Sequence, residues 1–240
     1  MHGIKTPYLL SKDQSPAPLH FLQRVLLRQY PEGTSFPHIR YKPTVHVLHK
    51  VCIWNCFYRT EGKDKYIGIP QHLLENYKER FRPLNAVCEV EKGVWVVPHF
   101  TGGLDEMGRR AHMYRKIGEE FIADDFAHEQ SVVFETGKGL VIFNSCSHGG
   151  IVNIVREVQM ALGGQKVYAV VGGFHMMKLS GMDTLAIPEE EVVETAQELK
   201  GLGVEEIYTG HCTGNIAFRI LKKELGEMVH ALGTGETVVF

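Results

Sequence analysis

The chain has 240 residues, with 26 lysines and arginines against 28 aspartates and glutamates, and 44% of it is hydrophobic. A net charge of −2 leaves no global basic excess for nucleic acid or an anionic membrane surface. No apolar run approaches the ~20 residues of a membrane span.

Five cysteines, Cys52, Cys56, Cys88, Cys146 and Cys212, are odd in number and irregular in spacing. That is not a disulfide framework, so a cytoplasmic location is expected. The N-terminus shows no long apolar stretch with a small-residue cleavage site. Cys52 and Cys56 could be half of a zinc site, but no second Cys or His pair follows at finger-like spacing.

Residues 1–43 are punctuated by Pro7, Pro16, Pro18, Pro31, Pro37 and Pro43 and read as an irregular arm, with a short amphipathic helix around Leu19 to Tyr30. Residues 44–240 form the second unit. "TVHVLH" (44–49) alternates like a strand. "PQHLLENYKERF" (70–81) reads as a helix opened by Pro70. "AVCEVEKGVWVV" (86–97) reads as two strands about a turn at Glu91 to Gly93, and residues 98–130 read as loop-rich. "SVVFETGKGLVIF" (131–143) is a hairpin turning at Gly137 and Gly139.

Regular alternation follows. After the strand "GLVIF", Ile151, Ile154, Val155, Val158 and Leu162 recur at helical spacing until Gly163 and Gly164. "KVYAVV" is the next strand. Pro188 precedes a helix whose first turn carries Glu189, Glu190 and Glu191. "EEIYT" is a third strand, residues 214–225 a third helix, and "ETVVF" a closing strand. The class is therefore α/β, whose ligands gather where loops leave the carboxyl ends of strands.

Three of the thirteen histidines stand at such places. His148 follows "GLVIF" in "NSCSHGG", His175 follows "KVYAVV" in "GGFH", and His211 follows "EEIYT" in "GHCTG". A neutral imidazole is a good metal donor, and small neighbours let an ion approach the backbone. Their side chains are expected to converge on one rim of the sheet.

"DDFAHEQSVVFETGKGLVIFNSCSHGGIVNIV", "VVGGFHMM" and "YTGHCTGNIAF" resemble the metallo-β-lactamase superfamily, and within it the branch of 7,8-dihydropterin-6-methyl-4-(β-D-ribofuranosyl)aminobenzene-5'-phosphate synthases. The resemblance runs from about Lys42 to Phe240. It implies a four-layer αβ/βα sandwich with one or two metal ions at the sheet edge, zinc usually, iron or manganese otherwise. By the same resemblance His148 is a ligand of the first ion and His211 of the second. His175 is a ligand or a catalytic substrate contact. Asp125 and Glu129 match a pattern that can orient a ligating ring.

The family's H-x-H-x-D-H motif is absent from this chain. "HVLH" (46–49) aims its two ends at opposite faces of a strand, and "HFTGGLDE" (99–106) reads as a coincidental loop. The expected sandwich is therefore incomplete on its N-terminal side, through truncation, a shifted frame or divergence. The expected activity, metal-bound hydroxide attacking an ester-like or phosphoester-like centre, is weakened or lost accordingly.

Thr213 and Gly214 open a helix whose free N–H groups suit a phosphate, Thr213 being otherwise an N-cap. Cys146 and Cys212 flank the histidines as thiolate ligands or, more simply, as packing residues, and His128 is expected on the surface. The basic segment at 109–116 is read as solvated. Expected partners are a small, phosphorylated molecule and, through an uncovered sheet edge, a second copy or a complementing chain. The alternative to an enzyme is a non-catalytic remnant or split half that acts as a binding module.

Overall fold

A computed structural model describes residues 45–48, 55–68, 71–84, 86–178, 180–233 and 237–240. The proline-rich segment, the boundary near residue 43, Cys52 and His49 lie outside the described residues.

Among the described residues the strands form three sheets. The largest has seven, in the order β13-β12-β11-β10-β9-β6-β5. These are β5 (Cys88–Glu91), β6 (Val94–Pro98), β9 (Gln130–Thr136), β10 (Gly139–Phe143), β11 (Val167–Gly172), β12 (Glu206–Thr209) and β13 (Val229–Ala231). A four-stranded antiparallel sheet has the order β3-β2-β7-β8, from β2 (Cys56–Thr60), β3 (Lys63–Tyr66), β7 (Met113–Ile117) and β8 (Glu120–Ala123). A parallel pair joins β1 (Val45–Leu48) to β4 (Phe81–Leu84).

Strand direction decides where the loops go. β10, β11, β12 and β13 are parallel neighbours, and β9 runs against both β10 and β6. The carboxyl ends of β6, β10, β11 and β12 therefore share one edge with the amino end of β9.

The sheet alternates its side chains. Leu140 and Ile142 of β10 enter the main core, while Val141 and Phe143 face the other way. Onto the first face pack α3 (Ile151–Ala161), α4 (Glu189–Gly201) and α5 (Asn215–Leu225). Each presents an apolar stripe: Ile151, Ile154, Val155 and Val158 from α3, Val192, Ala196 and Leu199 from α4, Ala217, Leu221 and Leu225 from α5. The opposite face carries Val141, Ala169 and Val171 with Phe143, Tyr168, Tyr208, Leu232 and Phe240 against them. A separate core of Cys56, Ile67, Leu104, Met113 and Phe126 lies by the four-stranded sheet.

Three expectations are revised. The stretch 98–130 holds α2 (Asp105–Arg110) and the β7–β8 hairpin as well as loops; its strands expose Ile117 and Ile122 and half-bury Arg115 and Lys116, which blurred the alternation. The helix expected over 70–81 is α1 (Gln71–Asn76) plus a 3-10 turn, and the chain then enters β4. "ETVVF" does not close the sheet. β13 does, and the Phe240 ring instead packs edge-on to Phe143, Tyr168 and Tyr208.

Gly172, the last residue of β11, has φ 152, and a Cβ there would lie 2.3 Å from the Asn144 carbonyl oxygen. Gly172→Ala is expected to cost about 2 kcal/mol or more, a fall in Tm of roughly 4–8 °C for a chain of this size, measured by thermal unfolding.

Candidate metal centre

The shared edge gathers polar side chains from five elements. The first loop runs from Asn144 to Gly150, the second from Gly173 to Met177, the third from Gly210 to Gly214. Gly173 N–H donates to the Ser145 carbonyl (2.8 Å), joining the first two loops, and Asn144 N–H donates to that of Val171 (2.9 Å), tying the first loop to the end of β11. Met176 N–H donates to the Cys212 carbonyl (2.9 Å) and His175 N–H to Cys212 Sγ (3.3 Å), joining the second to the third.

Ser147 (φ 53), His175 (φ 50) and His211 (φ 50) all adopt left-handed backbone, one in each loop. This region costs non-glycine residues of order 1 kcal/mol or more each. The surrounding bonds hold it.

His148 is buried, and its ring lies 4.3 Å, centroid to centroid, from that of His175. Its Nδ1 is bonded to Glu129, whose carboxylate also accepts the backbone N–H of His148 (3.1 Å) and of Gly149 (3.0 Å). Burial works to raise the Glu129 carboxyl. The charge and bond of His148, the charge of His128 and the Gly149 N–H outweigh it, holding the group far below the ordinary carboxylate range. Glu129 is thus the partner that fixes the His148 ring, as one of the two carboxylates expected for that work. Asp125 has another place: it pairs with Arg115 (2.8 Å) and accepts the Ala127 N–H (3.2 Å).

The ligand atoms of Cys146, His211 and Cys212 lie within 4.8 Å of one another, a grouping that can hold a metal ion. Cys146 and Cys212 are buried, His211 exposed. The hydrogen bond from the Cys212 thiol draws Cys146 toward thiolate against the opposing effect of burial, with His211 and the charge of His148 assisting. Cys212, bonded to that sulfur and buried, is raised in turn. One nitrogen and two sulfurs, one of them tending to thiolate, are a donor set that suits zinc or a similar divalent ion. Both cysteines are also buried, as packing residues would be.

His99 is the residue the sequence reading passed over. It follows β6 as His148 follows β10, which was the signal available. It is buried at the same edge, its N–H donates to the Glu129 carbonyl (2.9 Å), and its Nδ1 is bonded to Glu157 (2.6 Å). A Cβ on Gly149 would lie 1.9 Å from its Nε2, so the first loop packs directly on this ring. Glu157 also accepts from Phe100 N–H (2.9 Å), Thr101 N–H (2.6 Å) and the Thr101 hydroxyl (2.6 Å). "HFTGGLDE" is therefore a built part of the rim.

Thr213 is not an N-cap. Gly214 holds that position, without a side-chain bond. The wholly buried Thr213 hydroxyl accepts the Phe174 N–H (3.0 Å) and bonds Thr209 (2.6 Å), which donates to the Gly172 carbonyl (2.8 Å). It fastens loops and faces the interior. Beside the rim opens a cleft of about 780 Å³ whose walls include His148, His175, Met107, Arg110, Arg156 and Lys178. Arg110 and Arg156 are paired with Glu191 and Glu198.

No protein-family model matches the chain. Over 128 residues it is 36% identical to the 7,8-dihydropterin-6-methyl-4-(β-D-ribofuranosyl)-aminobenzene-5'-phosphate synthase of Methanocaldococcus jannaschii, a match that spans 53% of this chain and 41% of that relative. Among solved structures, a metal-dependent hydrolase of the β-lactamase superfamily aligns with TM-score 0.65 and 23% identity, over 82% of this chain and 71% of the other. An isothiocyanate hydrolase from Delia radicum gut bacteria aligns at TM-score 0.37 and 13% identity, over 71% and 65%.

The Glu157 carboxyl is raised by burial but lowered further by its bonds from His99, Thr101 and Phe100, so its folded pKa lies below the ordinary value. A depressed pKa contributes stability that is complete above the unfolded value, ~4.3, and is lost as pH falls through the folded one. Glu157→Gln is expected to destabilise by roughly 1–3 kcal/mol at neutral pH. In urea titrations across pH the gap to the unsubstituted protein should close in acid; a gap constant with pH would contradict this account.

Proposed function

We propose that this chain, which has the metallo-β-lactamase-like fold, is a metal-dependent enzyme-type protein acting on a small, phosphorylated molecule. The proposed chemistry is hydrolase-like or close to that of the pterin-ribofuranosyl-phosphate synthase it resembles. One observation carries the reading. Loops from three neighbouring strands bring the His148 and His175 rings to 4.3 Å on the wall of a cleft, and the same set of loops brings the ligand atoms of Cys146, His211 and Cys212 to within 4.8 Å of one another. The likeness to the synthase supports the substrate class, and the hydrolase-like structural neighbour supports the fold that carries it.

Cys146, His211 and Cys212 would hold the metal, with His148 alongside Cys146. Zinc fits this set, with iron as the alternative, whereas manganese, which prefers oxygen donors, fits two sulfurs and an imidazole poorly. When bound, such an ion supplies Lewis-acid polarisation and activates water. The chain's own residues do the rest. Glu129 engages the Nδ1 of His148, so any contact of that ring with metal or substrate falls to Nε2. His175, on the cleft wall, is the group to hold or move a proton beside the substrate. Lys178, exposed on the same wall, suits a phosphate, since the neighbouring arginines are already engaged. With no H-x-H-x-D-H in the sequence, the hold on metal is expected to be weaker than that motif gives.

Metal content and chelator-competition titrations test the reading, together with phosphodiesterase and lactonase assays. His211→Ala and Cys146→Ser should each weaken zinc binding by about tenfold or more. His148→Ala should abolish turnover, and chelation should do the same reversibly. Turnover indifferent to chelation would sink the proposal. Tight metal binding with no turnover of any ester or phosphoester would favour the non-catalytic binding module.

A further inference from the structure

A second set of donors lies apart from the rim, where the chain crosses from the four-stranded sheet to the seven-stranded one. Cys56 is the first residue of β2 and is 1% exposed. Asp124 and His128 sit on the crossover between β8 and β9, their side chains 0% and 5% exposed. The ligand atoms of all three lie within 4.8 Å of one another. His128 is thus interior, not on the surface as its neighbours in sequence suggest.

The backbone is bent to make this meeting. Phe126, midway between Asp124 and His128, is wholly buried and left-handed (φ 54), which is uncommon for a bulky residue. Its N–H donates to Asp124 Oδ1 (3.0 Å), and His128 Nδ1 lies 3.4 Å from the same oxygen. On the outer side α2 packs flush, since a Cβ at Gly108 would lie 2.1 Å from the Asp124 carbonyl oxygen.

The surroundings are apolar: Ile67, Leu104, Met113 and Phe126. The nearby cation, Arg115, has its Nε 3.8 Å from Asp124 and gives its shorter bond (2.8 Å) to Asp125. A thiol, an imidazole and a carboxylate gathered in such a core are characteristically paired or bound to metal.

We propose that Cys56, Asp124 and His128 form a structural zinc site. Sulfur, nitrogen and one carboxylate oxygen match zinc and do not match magnesium or calcium, which take oxygen donors. Three protein donors leave the fourth place of a tetrahedral ion to a water. The ion would tie β2 to the crossover. It would also steady Glu129, which follows His128 and holds His148, and Phe126, whose ring stacks on His148 at 5.2 Å. The site needs nothing from the rim and stands whether or not the rim binds metal.

The test is zinc stoichiometry with X-ray absorption at the zinc edge, on the full chain and on a rim-emptied variant, Cys146→Ser with His211→Ala and Cys212→Ser. The rim-emptied protein should keep one zinc per chain, with one sulfur in its shell at about 2.3 Å. Cys56→Ser, and separately His128→Gln, should each lose one zinc from the full chain while the rim zinc stays. Rim-emptied protein that holds no zinc, or zinc without sulfur, overturns the proposal, as does a full complement of zinc in Cys56→Ser. Should a Cys56 or His128 variant fail to fold, the absorption spectrum of the rim-emptied protein decides alone. Metal lost only on changing the rim would leave the rim reading standing and this one refuted.

Discussion

The Glu129 carboxylate is the fixed point of the rim. It is largely shielded from solvent, and it accepts from the His148 ring and from two successive backbone N–H groups of the loop that carries that ring. A buried carboxylate is costly unless it is so satisfied, and each donor it takes is one that the loop would otherwise leave unmatched. The bargain is mutual: the loop neutralises Glu129, and Glu129 fixes the loop's path and the orientation of His148. Removing it would leave three donors unanswered at once.

Strand direction makes that contact available. A carboxylate at the start of β9 can reach a loop at the end of β10 because the two strands are antiparallel, while β11 and β12 deliver their own loops to the same edge because they are parallel to β10. The order is continued on the far side by β6, whose end brings His99 beneath Gly149. Between the loops, Thr213 and Thr209 form a short relay of hydroxyls that ends on the Gly172 carbonyl. The left-handed residues Ser147, His175 and His211 are held by these bonds. Their strain is matched by the network around them, as expected where side chains must be aimed and not merely packed.

This division explains what could be read from the amino acids. The strand–helix alternation after residue 131 was legible because a buried α/β core writes its period into the sequence: Leu140 and Ile142 on one face, Ile151, Ile154, Val155 and Val158 along one stripe. The strand-end positions of His148, His175 and His211 followed from that period, while Glu129 came only from the family pattern that the resemblance implied. Cys146 and Cys212 were visible as neighbours of these histidines, but their approach depends on loop conformations that local pattern does not encode. Thr213 looked like a cap because composition at a helix start does not tell which way a hydroxyl turns. His128 and Cys56 were illegible for a stronger reason. Their partnership spans the two sheets, and it rests on a single left-handed phenylalanine that propensity argues against.

The two donor groups meet at Phe126 and the residues after it. That ring stacks on His148 on one side and stands edge-on to His128 at 6.2 Å on the other. Within six residues the crossover contributes Asp124 and His128 to one cluster and Glu129 to the support of the other. Rigid elements are the usual way to hold reactive groups to within a fraction of an ångström, yet here an irregular segment does it. It can do so because Asp124, Phe126 and His128 turn inward, and because Asp124 Oδ1 accepts from Phe126 and Glu129 from the first rim loop. A loop anchored in that way behaves mechanically as part of the core. Its displacement would have to break the packing of β2 and the orientation of His148 together, so the geometry of the rim is set as firmly by the apolar cluster around Cys56 as by the strands from which the histidines emerge.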